Sequence, residues 1–125
     1  MTGEIQALIV RITKDLTVGE KKIPVKYMHY EGHDDSYVTW MHMDSDRSLS
    51  GDDSLIGWVD YFDFDVYSKG NFNEIIGKLT ETLIANGFVW SVSRSSPDYY
   101  EKDTGYYHKT LCFAYIHGYK IKESE

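Results

Sequence analysis

Residues 55–88, LIGWVDYFDFDVYSKGNFNEIIGKLTETLIANGF, contain the passage on which the fold reading turns. Their first half alternates with a period of two. Trp58, Phe62, Phe64 and Val66 share one side with Asp60, and Tyr61, Asp63, Asp65 and Tyr67 take the other. That pattern predicts a strand with one core face and one face that is wet or meets a partner. Ser68-Lys69-Gly70 then makes a turn, and Asn71 stands as a helix N-cap with Glu74 three residues on, a variant of the capping box. Phe72, Ile75, Ile76, Leu79 and Leu83 form one stripe at helical spacing. Asn86-Gly87 supplies the stop, because glycine accepts the left-handed conformation that ends many helices. The spacing predicts a helix over 71–86.

Working outward, Thr2 caps an expected first helix with Ile5, Leu8, Ile9, Ile12 and Leu16 on one stripe, ending before Gly19. Residues 23–30 and 36–43 read as two strands of a hairpin around Glu31-Gly32-His33-Asp34-Asp35, with Pro24 at a strand start. The polar run 44–54 reads as a flexible acidic loop. Phe88 to Arg94 reads as a fourth strand, Ser95-Ser96-Pro97-Asp98 as a break, and Tyr106 to Tyr119 as a long aromatic last strand, with residues 120–125 a frayed tail. The order implies a single α+β domain over residues 1–125: a mixed, mostly antiparallel sheet of about five strands, with two helices packed on one face.

The chain has 125 residues, enough to bury a core without disulfides. Its single cysteine, Cys112, allows no internal disulfide and lies in an apolar strand, where packing is expected rather than activation. No apolar run approaches the length that spans a bilayer, and Glu4 stands where a signal peptide carries positive charge, so neither membrane insertion nor secretion by that route is expected. A formal charge of −7 opposes non-specific attachment to nucleic acid or anionic lipid. Eleven tyrosines and three tryptophans favour an assembly protein, since those types are enriched in interface cores.

Motifs for chemistry are sparse. Asp44, Asp46 and Ser48 have the first three spacings of a calcium loop, but Leu49 stands where glycine is needed and Leu55 where a bidentate glutamate is needed. His29, His33 and Asp34 lie across a strand and turn, and His42, His108 and His117 have no ligand spacing to one another, so no metal is expected. Asp63 and Asp65 share a face as paired acids do, yet beside Tyr61 and Tyr67 they describe a polar outer face or a subunit contact. No nucleophile elbow and no phosphate loop occurs. The expectation is a protein without catalytic residues or cofactor. The tyrosine-rich stretch 97–109 reads as a loop feeding an exposed edge, either a subunit contact or plain surface.

The combination YFDFDVYSKGNFNEIIGKL, then ANGF, then DYYEKDTGYYHKTLCFAY resembles the tail completion proteins, or tail terminators, of tailed bacteriophages and prophages, over roughly residues 55–116. The resemblance implies a structural subunit of a homohexameric ring at the head-proximal end of the tail tube. There it ends tail polymerisation and joins the tail to a head-completion or neck protein, with DNA only passing through the channel. It places the protein at the head–tail junction of the virion, made in the bacterial host cytoplasm. It suggests Asp44, Asp46, Asp52 and Asp53 near the lumen or tube, and Tyr61, Asp63, Asp65, Tyr67, Tyr99, Tyr100, Tyr106 and Tyr107 at one side of a head-to-tail interface. The rival expectations are an acidic DNA-mimic inhibitor, or a neighbouring head-closure or connector protein.

Overall fold

The computed structural model describes residues 2–49 and 55–118, with side chains over 3–47 and 57–118. Helix α1 (Thr2–Thr13) leads to a small antiparallel ribbon of β1 (Thr17–Val18) and β2 (Lys21–Lys22). The main sheet follows, built from β3 (Val25–Tyr27), β4 (Ser36–Leu49), β5 (Leu55–Ser68), β6 (Phe88–Trp90), β7 (Tyr99–Glu101) and β8 (Tyr106–Gly118), with α2 (Phe72–Ala85) between β5 and β6. The strand order is β3-β4-β5-β8-β6, and β7 also pairs with β8. The α+β class, the single domain and the mixed sheet with both helices on one face are as the sequence implies. Among the described residues the main sheet has six strands.

Alternation along β5 is as read. Phe62, Phe64 and Val66 are buried, and they meet Ile75, Leu79 and Leu83 of α2 and Ile5 and Ile9 of α1 in one apolar core. Each of those helix positions comes from the expected stripe. Gly87 has φ 96, and the amides of Asn86 and Gly87 bond back to the carbonyls of Leu83 and Ile84, closing α2 where expected. The start of α2 is different. Asn71 has φ 41 and gives no side-chain cap; only its carbonyl serves the helix, accepting the Ile75 amide at 3.0 Å. Ser68 takes up the turn instead, its buried hydroxyl donating to the Gly70 carbonyl and accepting the Gly70 amide.

The expected hairpin of residues 23–30 and 36–43 is a parallel pair, Val25 opposite Val38 and Tyr27 opposite Trp40. The chain reverses sharply at Met28, where φ is 65 and the His29 amide reaches the Tyr27 carbonyl at 2.7 Å. Residues 28–35 then return to the start of β3 before β4 begins, so the two strands run the same way. The acidic loop is also corrected: 44–49 belong to β4, and residues 50–54 and the tail 120–125 lie outside the described residues. Polar side chains suit residues 44–47 because they are exposed, and pairing with β5 supplies the backbone partners of 44–49. The fourth strand stops at Trp90, and a 3-10 turn holds Val92–Arg94. The expected tyrosine loop contains β7, a hairpin partner of β8.

Strands β4 and β5 have 14 residues each, about 46 Å of extended chain. Helix α2, also 14 residues, spans about 21 Å. The helices therefore cover only part of the sheet. Among the described residues, no member of the apolar core lies on β4 beyond Trp40 or on β5 before Phe62. The rest of β4 and β5, with the end of β8 paired beside β5, runs on past the core as an arm. Near its root a β-bulge falls at Met43, and farther out a Cβ on Gly57 would stand 2.3 Å from the His117 carbonyl oxygen.

Two substitutions separate core from arm. Leu79→Ala should lower stability by about 2–5 kcal/mol in urea unfolding, whereas Lys78→Ala on the exposed side of the same helix should change it by less than about 0.5 kcal/mol. Gly57→Ala should cost about 1–3 kcal/mol by forcing β8 away from β5, with loss of amide protection concentrated at 57–60 and 115–118.

Candidate functional site

The face of the sheet opposite the helices is a grid set by register. Tyr61, Asp63, Asp65 and Tyr67 on β5 stand opposite Asp44, Met41, Thr39 and Tyr37 on β4, and opposite Ala114, Cys112, Thr110 and His108 on β8. Opposite residues of antiparallel strands lie close enough for their side chains to interact. This face, expected to be wet or to meet a partner, is half-buried by its own cross-strand contacts.

One end is aromatic. Tyr30, Tyr37, Tyr67 and His108 stack in sequence with ring centroids 4.4, 4.7 and 4.2 Å apart, and Tyr106 meets Tyr37 and Tyr67 edge-on. Burial and the neighbouring Asp65 carboxylate push the Tyr67 phenol up to about 12, so it stays protonated at neutral pH. His108 reaches Asp65 through Nε2 at 3.3 Å and Glu101 through Nδ1 at 3.6 Å, and Thr110 Oγ1 donates to the same Asp65 oxygen.

The other end is charged. Arg94, delivered by the 3-10 turn, donates to Asp44 at 3.1 Å and holds its guanidinium 3.9 Å from the Tyr61 ring centroid. Burial, reinforced by Asp65 and Asp44, raises the Asp63 carboxyl above its usual range, against the opposing pull of Cys112 and Arg94. Burial likewise raises the Cys112 thiol, so it is a packed group and a poor nucleophile. His108 and Cys112 lie four positions apart on one strand, about 13 Å, and form no dyad.

The structure therefore gathers Asp44, Tyr61, Asp63, Asp65, Tyr67 and Tyr106 on one face. Tyr99 joins them beside His108, with centroids 6.3 Å apart. Tyr100 and Tyr107 do not; they pair with each other, and Tyr107 meets Phe72 at the start of α2 on the helix side. Asp46 is exposed on the arm, and Asp52 and Asp53 lie outside the described residues.

A second polar group sits at the end of the core. Asp60, only 2% exposed, accepts from His42 Nε2 at 2.9 Å, from His117 Nε2 at 2.6 Å and from the Ser45 hydroxyl. With the carboxylate ionised, both rings present Nε2–H to it. Burial alone would raise the Asp60 carboxyl; the donors Ser45, His117 and His42 outweigh it and hold the group below its ordinary value. His42, Ser45 and His117 come from the two strands flanking β5, on either side of the bulge at Met43. Linear spacing concealed this group, although His42, Asp60 and His117 each sit at a core-facing position of an alternating strand. Arg94 was also missed, because it acts across the sheet from a turn.

Among the described residues no group of three or more His, Cys, Asp or Glu side chains converges in a way that could hold a metal ion, and no helix is long and apolar enough to cross a membrane. No family model matches the chain, and no curated protein matches it in sequence.

The two carboxylates act oppositely on stability. Because the folded Asp60 carboxyl lies below its unfolded value, its contribution is complete above about pH 4 and lost as pH falls through the folded value. Asp60→Asn should lower stability at pH 7 by about 2–3 kcal/mol and flatten the acid limb of stability plotted against pH. Asp63, raised in the fold, loses stability as pH climbs from its unfolded value through its folded one. Asp63→Asn should therefore raise the urea midpoint at pH 7 relative to its effect at pH 3.

Proposed function

We propose that this chain is a structural subunit of a phage or phage-like tail, capping the head-proximal end of the tail tube and joining it to the head or neck. The observation that carries the reading is the construction of its sheet. The stretch that resembles tail terminators, residues 55–116, forms one continuous unit of β5, α2, β6, β7 and nearly all of β8. Completed by β4 and β3, the sheet ends, among the described residues, in two unlike edges, β3 on one side and β6 with β7 on the other. A closed ring of identical copies needs a head-to-tail interface between two different surfaces, and unlike edges supply that asymmetry. The projecting arm gives each copy a means of reaching beyond its own core. Asp44 and Asp46 on that arm are exposed, and acidic side chains facing a channel avoid holding a passing phosphate backbone. This role assigns no catalytic residue and places the protein at the head–tail junction after synthesis in the host cytoplasm.

The rival reading, an acidic DNA mimic, draws less support. Asp60 is buried, and Asp65 is engaged by Thr110 and His108, so β5 does not present an outward row of free carboxylates.

Light scattering across concentration, with and without purified tail tubes, tests the proposal together with imaging of tube ends. The expected result is a hexameric mass or rings at one end of each tube. A monomer that persists at every concentration and ignores tubes overturns it and favours the inhibitor.

A further inference from the structure

Residues 11–26 hold Arg11, Lys14, Lys21, Lys22 and Lys26 against only Asp15 and Glu20, a net positive stretch in a chain of formal charge −7. The fold gathers three of these cations. Lys14 follows α1, Lys22 lies on β2 and Lys26 on β3, and all three line one cleft of about 660 Å³. Its apolar lining comes from Val10, 56% exposed, with Ile23, Pro24 and Val25. Tyr30, Glu31 and Asp34 also line it, Glu31 bonded to His29 at 3.0 Å and Asp34 to the Tyr30 hydroxyl. The three lysines make no ion pair with any described residue.

The cleft also borders an open strand edge. Among the described residues β3 is the terminal strand of the sheet and pairs only with β4. The Pro24 carbonyl and the Met28 amide point toward β4, where they meet Val38 and Trp40. Alternation then turns the amide groups of Val25 and Tyr27 the other way, to the free edge. An edge of this kind pairs with an added extended chain, while nearby side chains select its composition.

We propose that this cleft binds an extended acidic segment of a partner protein, laid along the free edge of β3. Its carboxylates meet Lys14, Lys22 and Lys26, and its alternate apolar side chains rest on Val10 and Pro24. Nucleic acid is a poorer occupant, because the free amide groups of an edge strand pair with a polypeptide backbone and a polyphosphate has none to offer them. The inference goes beyond the tail reading: a segment on this edge would compete there with a neighbouring copy, and peptide binding by the free chain is read separately from ring formation.

The test uses the full chain and a short peptide alternating glutamate with valine. Its glutamine counterpart, inorganic phosphate and a single-stranded oligodeoxynucleotide serve as controls. Backbone resonance shifts should map to Val10, Lys14 and residues 22–27, and the glutamine peptide should bind at least about tenfold more weakly. A variant combining Lys14→Glu, Lys22→Glu and Lys26→Glu should lose at least about tenfold in affinity, while Lys78→Glu on α2 should match the parent protein. Should the triple variant lose its fold, the shift map and the glutamine comparison decide. Shifts elsewhere, equal binding of the glutamine peptide, absence of saturable binding, an unaffected triple variant, or tighter binding of the oligonucleotide or phosphate would each overturn the proposal.

Discussion

Everything in this molecule leans on β5 being hydrogen-bonded on both sides. It pairs with β4 from Ser68 back to Leu55 and with β8 from Ser68 back to Gly57. A strand held so completely has its register specified from both directions, and a slip by one residue would exchange its faces. Phe62, Phe64 and Val66 would then leave the core, and Asp63 and Asp65 would enter it. The apolar cost of that exchange locks the position of every side chain on the open face. Tyr37, Tyr67 and His108 stack as one row because β4, β5 and β8 are in this register.

The same strand couples core and arm. Past Phe62 the apolar filling ends, and the next core-facing residue is Asp60. A buried carboxylate is tolerated only with donors around it, and His42, Ser45 and His117 provide them. These residues come from both neighbours of β5, so one charge ties three strands together where the helix layer stops. The bulge at Met43 fits the same arrangement, since it brings His42 and Ser45, three positions apart, to the same carboxylate. An apolar residue in place of Asp60 would leave those donors without an acceptor.

Charge is distributed unevenly across the fold. Carboxylates on the open face are drawn into internal contacts with Arg94, His108 and Thr110, whereas the lysines of β2 and β3 have no partner among the described residues. That contrast gives the protein two different chemical surfaces, one of stacked tyrosines and engaged acids, the other a basic cleft on an open strand edge. The two adjoin at Tyr30, which begins the stack and also lines the cleft.

What the sequence determined by itself was the local and periodic part. The two-residue alternation of β5, the stripe Ile75, Leu79, Leu83 and the stop at Gly87 follow from side-chain polarity and backbone sterics, which act over a few residues. The class of fold followed from those elements in order. Tertiary structure alone decided how distant segments meet. The parallel pairing of β3 goes with the left-handed turn at Met28, and at the start of α2 the hydroxyl of Ser68, bonded across the sheet to Ser36, serves the turn while Asn71 gives no side-chain cap. The polar stretch 44–49 is a strand because β5 offers partners for its backbone, a condition that composition does not reveal. Asp60 finds two histidines that stand 18 residues before it and 57 after it, and such contacts depend on strand order and register, which no local pattern encodes.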